Sequence, residues 1–207
     1  MRPEIYARLA ICCAALLIAL MTAPAMAHEL VPGVSGFAGQ MLHPILITEQ
    51  LILLGAMALV AGRMKGMFVQ AALAFVAGIA VGKAAHLAIP WLPLFWYVPL
   101  ALVLLAGLAV ASLPGISVRL GAGLIFLLAG ALSIDIIPDQ PEPASLGVAV
   151  AATLASGLLF LLLVGLPLQK VESRWGKVVI RVAGAWLAAI ALLNLALVWK
   201  SLTPTIG

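Results

Sequence analysis

FVQAALAFVAGIAVGKAAHLAI (Phe68–Ile89) is apolar almost throughout and carries one charged side chain, Lys83, near its C-terminal end. A helix needs about 20 such residues to cross a hydrocarbon core of roughly 30 Å. Lipid offers the backbone no hydrogen bonds, so a segment that crosses it must satisfy its own as a helix. Breakers bound the stretch, Arg63-Met64-Lys65-Gly66 before it and Pro90-Trp91-Leu92-Pro93 after it. Working outward, the same pattern recurs at Pro44–Gly62, Phe95–Leu113, Val118–Ile137, Ala144–Leu166 and Val178–Trp199. Hydrophobic residues make up 65% of the 207-residue chain and charged ones 9%, against roughly 25% charged in an average soluble domain. A soluble fold of this length has too little interior to hide so much apolar surface. The predicted class is all-α: a polytopic membrane protein, a bundle of six transmembrane helices after a cleavable signal peptide.

The signal peptide is read from residues 1–27. Arg2 and Arg8 form a basic start, Leu9 to Met21 a short apolar run, and Ala25-Met26-Ala27 a small-x-small cleavage pattern. Residues 28–207 then form a single transmembrane domain, with His28 as the mature N-terminus. Cys12 and Cys13 both fall in the removed segment, which leaves no disulfide, thiolate ligand or cysteine nucleophile. In alternate loops Arg63, Lys65, Arg119, Lys170, Arg174, Lys177 and Arg181 gather on one side, against Lys200 and Lys83 toward the other. The positive-inside rule places the first set in the cytoplasm and both termini in the periplasm of a bacterial inner membrane. Trp91, Trp96, Tyr97 and Trp199 at outer helix ends, and Trp175 at an inner one, fit an aromatic belt. Removing Arg2, Glu4 and Arg8 with the signal segment takes the formal charge from +4 to +3, and that surplus is not clustered with aromatics, so it reads as a topology signal and no nucleic-acid partner is expected.

Polar residues crowd toward the outer face: His28, His43, Glu49, Gln50, Lys83, His86, Ser133, Asp135 and Asn194. Ala74, Gly78, Gly82 and His86 recur every four residues on one ridge, and Gly78-x-x-x-Gly82 permits close helix approach, so His86 is expected to face the bundle. Pro44 is expected at the first position of its helix, where its missing N–H is harmless, with His43 just outside. Gln50 returns to nearly the same face as His43, with Glu49 about 100° away. An imidazole, a carboxylate and an amide at one helix mouth suit a transition metal but do not fill its coordination sphere.

The mature start His28-Glu29, the stretch Gly36-Phe37-Ala38-Gly39 and the motif His43-Pro44-x-x-x-x-Glu49-Gln50 resemble the HupE/UreJ family. That family consists of small, signal-bearing, multi-helix membrane proteins linked to nickel or cobalt supply for hydrogenase and urease. Its first helix typically reads His-Pro-x-x-Gly-x-Asp-His. Here His43 and Pro44 match, Ile47 stands for the glycine, Glu49 for the aspartate and Gln50 for the second histidine. Arg181-Val-Ala-Gly184 is similar to the start of the family's last span. The family's further histidines and glutamate in the middle helices find no counterpart in Phe95–Leu166.

No HExxH, GxSxG or GxxxxGK[ST] pattern occurs, so no enzyme is expected. The resemblance implies a metal-ion permease or metal-supply protein that captures a divalent transition metal. Nickel or cobalt is the implied cargo, with copper as a further candidate, and no resident cofactor is assigned. His28, His43, Glu49 and His86 are the expected ligands, with Gln50, Lys83 and Asp135 as secondary residues. The scarcity of ionisable groups near the midplane supports an alternative, a non-transporting accessory that assembles or stabilises another membrane complex. The expected partners are the lipid bilayer and a metalloenzyme or membrane complex.

Overall fold

The computed structural model describes residues 36–89, 97–134, 136 and 143–202. Every regular element among them is helical: α1 (Gly36–Leu46), α2 (Thr48–Arg63), α3 (Phe68–Ala88), α4 (Tyr97–Ser112), α5 (Val118–Ile134), α6 (Pro143–Phe160) and α7 (Arg174–Leu202). The all-α expectation therefore holds. The signal segment, His28, Trp91, Trp96 and Asp135 lie outside the described residues. By length and composition α3, α6 with its continuation, and α7 can each cross a membrane, and the bent pair α1–α2 makes a fourth if it is one span. α4 and α5 are apolar but shorter, about 24 and 26 Å at 1.5 Å per residue against a core of roughly 30 Å.

α2 is the axis of the bundle. Leu54, Met57, Ala58, Val60 and Ala61 on this helix have no accessible surface at all. It touches α5, α4 and α6, and more lightly α7. Short side chains make this centrality feasible, because Ala56, Ala58, Ala61 and Gly62 let neighbouring helices approach its backbone. The Gln169 amide beyond α6 donates to the carbonyl of Ala61 at 2.8 Å, fastening the end of α6 to this axis. α7 is the outermost helix, with Trp175, Trp186 and Trp199 largely exposed, as suits a face toward lipid.

Two prolines depart from their expected roles. Pro44 does not open the first long helix. It lies inside α1, and the helix breaks three residues later at Ile47, whose φ −84° and ψ 117° are extended. α2 leaves at 78° to α1. Pro44 lacks the N–H that would bond one turn back, so the end of α1 is weakened and the chain turns there. At the other end of the chain, Pro167 does not terminate α6. The helix widens into a π turn at Leu161–Gly165 and continues as Leu166–Gln169, with the Leu166 N–H reaching Leu161 O. The wider turn relieves the clash a proline ring makes with the carbonyl four residues back, so the helix survives it.

The ends of the helices sort by charge as expected. One cleft draws together Gly62–Met67, Pro114–Val118, Leu168, Val171, Lys177 and Ile180, so three alternate connections share one end of the bundle. Arg181 of α7 donates from Nε to Ala111 O at 2.6 Å and from Nη2 to Ser112 O, and Arg63 donates to Leu113 O. Two guanidiniums thus cap the C-terminal carbonyls of α4, where a helix dipole favours cations. The opposite end holds the polar residues considered next.

Candidate functional site

The bend between α1 and α2 positions the first group. His43 occupies the last turn of α1 and is half-buried; Pro44 and Gln50 are buried and Glu49 is exposed in the first turn of α2. His43 Nδ1 lies 3.3 Å from Gln50 Oε1 across the bend. An amide oxygen only accepts, so the tautomer that makes this contact a hydrogen bond carries its proton on Nδ1 and leaves the Nε2 lone pair available. That is how a metal-ligating histidine is normally held, its far ring nitrogen donating to an oxygen that fixes tautomer and orientation. Gln50, a secondary residue in the sequence reading, is the side chain that meets His43 across the bend. Glu49 adds negative charge at the N-terminus of α2, where the first-turn amides are unpaired and the dipole favours it.

The C-terminal end of α3 carries the second group. Gly78 and Gly82 pack directly on α5. A Cβ on Gly78 would run into Phe126 O and stand 2.8 Å from Ala129 Cβ, and one on Gly82 would meet Ser133 Oγ and lie 2.5 Å from Gly130 O. The small-residue ridge thus faces the bundle, as its spacing predicts. Lys83, 7% exposed, donates from Nζ to Ile136 O at 2.8 Å, just past the end of α5. Ser133 is fully buried and donates to Gly130 O. His86 is half-buried, and its Nδ1 is buried without a hydrogen-bond partner. A buried ring nitrogen without a partner loses its hydration for nothing in return.

Lys83→Met removes the donor to Ile136 O while nearly preserving volume. Leaving that carbonyl unpaired is expected to lower stability by about 1–3 kcal/mol. The drop is read as a lower unfolding temperature of the purified protein in detergent.

The two groups share one end of the bundle but lie on differently packed elements. α1 packs on α6 and α2, whereas α3 packs chiefly on α5 and less on α6. The short Arg63–Met67 connection predicts α2 and α3 side by side; instead α5 is the main neighbour of α3. Among the described residues no three His, Cys, Asp or Glu side chains converge on one ion position. His43, Glu49 and His86 therefore do not by themselves form a three-ligand centre, and any further ligand from His28 or Asp135 lies outside the described residues. Asn194 does not join the group: it is exposed and donates to Ile190 O on its own helix at 2.8 Å.

An all-helical bundle whose described residues include three spans of membrane length, or four with the bent pair, defines a multi-pass membrane protein. The chain belongs to the HupE/UreJ family: a family model described as HupE / UreJ protein matches residues 16–194. Membership carries a general link to nickel or cobalt supply. Neither the curated proteins nor the solved structures contain a match to the chain.

Proposed function

We propose that this protein is a non-enzymatic metal permease or metal-supply protein of the bacterial inner membrane. It captures nickel or cobalt, with copper as a further candidate, at an outward-facing site built on His43 and His86. Six crossings would bring both termini to the periplasm. The observation that carries the reading is the pairing of His43 Nδ1 with Gln50, which leaves Nε2 as a ready ligand. The unpartnered Nδ1 of His86 supports it. His28 contributes its imidazole and, after cleavage, a terminal amine, while Glu49 supplies a carboxylate. Lys83, and Asp135 beside the carbonyl that Lys83 holds in the chain, adjust the local charge.

Isothermal titration of the purified protein with nickel, cobalt and copper tests the reading. A histidine ligand binds only in its neutral form, so binding is expected to weaken as the pH falls. No heat of binding for any of the three metals at pH 7.5 would remove the capture site.

A second reading is favoured by the lack of a three-ligand group among the described residues: a non-transporting accessory of a membrane complex. Purification in mild detergent separates the two. A stoichiometric partner without metal supports the accessory, and a lone protein that binds metal supports the permease.

A further inference from the structure

The basic end of the bundle contains a cleft of about 410 Å³ that metal capture does not use. Its walls come from four parts of the chain: Gly62–Met67, Pro114–Val118, the end of α6 at Leu168 and Val171, and Lys177 with Ile180 on α7. Arg63, Lys65 and Lys177 line it, and its lining holds no carboxylate. Glu172 is the only acid among the described residues at this end, and it is exposed outside the lining.

Arg63 shows what the cleft lacks. Its Nη2 donates to the carbonyl of Leu113, while its Nε is buried and has no partner. A buried guanidinium donor without an acceptor is costly, so Arg63 is held rigidly in the wall of the cleft, and a phosphate is a geometrically apt partner for the charge it shares there with Lys65 and Lys177. The remaining surface is apolar: Met64, Ile116, Val118, Leu168 and Ile180 stand beside the cations. Inorganic phosphate gains nothing from such a wall, whereas a lipid places its phosphate on the cations and its glycerol and first methylenes on the wall. Exposed Trp175, on the first turn of α7 at this end, marks the depth at which headgroups lie.

We propose that this cleft binds the phosphate group of an acidic membrane lipid, with Arg63, Lys65 and Lys177 as the recognition set. The lipid then links the α2–α3 and α4–α5 connections with the start of α7, at the helix ends where like charges gather. The proposal is independent of any metal.

The full-length protein in dodecyl maltoside is titrated with phosphatidylglycerol, phosphatidylcholine or inorganic phosphate, and bound lipid is counted by native mass spectrometry. One retained phosphatidylglycerol per protein is expected, with phosphatidylcholine bound much more weakly. Each lysine near an anionic headgroup contributes roughly fivefold, so Lys65→Gln/Lys177→Gln should weaken phosphatidylglycerol about 25-fold. Both lysines are exposed, so the fold is retained. Lys170→Gln/Arg174→Gln removes the same charge from the same end, outside the lining, and should weaken binding less than threefold, on the order of a single surface interaction. Equal weakening by the two variants would show diffuse charge attraction and overturn the site. Displacement of the lipid by millimolar inorganic phosphate, or equal retention of phosphatidylcholine, would also overturn it.

Discussion

Gly78→Leu is expected to yield a protein that still reaches the membrane but unfolds at a markedly lower temperature, losing about 3 kcal/mol or more. The collision is with α5 backbone as well as side chain: Phe126 O, Phe126 C at 3.1 Å and Ala129 Cβ at 2.8 Å. No rotamer change relieves a clash with a carbonyl, so α3 and α5 must separate along their main contact. Overpacking ordinarily costs about 1–3 kcal/mol, and a backbone collision sits at the upper end. Gly123→Leu is the control. Gly123 also lies on α5, but a Cβ there meets nothing within 4 Å, so its stability should change by no more than about 0.5 kcal/mol. Circular dichroism melts in detergent compare the two. Similar melting of both variants would contradict the assigned α3–α5 interface.

His43→Ala is expected to reduce affinity for nickel or cobalt by about 100-fold or more while leaving the melting temperature near that of the unmodified protein. The imidazole is half-buried and contributes little apolar burial, so its loss reads on binding rather than folding. Gln50→Leu is the sharper variant, because it removes no ligand. It deletes only the oxygen that accepts from His43 Nδ1, and loss of such an orienting partner typically costs 10–100-fold in metal affinity. Glu49→Gln tests the carboxylate separately, since Glu49 is exposed and its removal should leave the His43–Gln50 contact intact. If Gln50→Leu binds metal as tightly as the unmodified protein, the positioning role of Gln50 is wrong.

The long apolar helices were legible because lipid imposes a uniform rule on composition. α3 ends at Ala88, one residue short of the expected Ile89, and α4 and α7 fall within a few residues of their predicted limits. Gly78 and Gly82 were legible as a packing ridge because a four-residue repeat fixes a helix face. The partner of that face was not legible: a ridge says that something packs there, and loop length pointed to α2 when α5 takes the place. Pro44 and Pro167 misled for one shared reason. Local preference puts proline at helix ends, yet surrounding packing tolerates it inside α1 and behind a π turn in α6. Around the candidate site the sequence names residues but does not fix how they meet. His43 and Gln50 stood out as a pair on one face, but only the 78° bend turns the amide into an orienting acceptor. Arg63 drew notice as a topology charge; its unpartnered Nε and the cleft around it follow from three connections meeting, which no single stretch of sequence records.

As proposed, this chain supplies a transition metal to the cell through histidines at one end of the bundle. Accumulation of radiolabelled nickel and cobalt, with copper measured in parallel, in cells with and without the gene tests it most directly. Uptake of at least one of these metals is expected to depend on the gene and to be lost in the His43→Ala/His86→Ala variant, while Lys170→Gln protein supports normal uptake. Equal accumulation of all three metals in cells with and without the gene would contradict it.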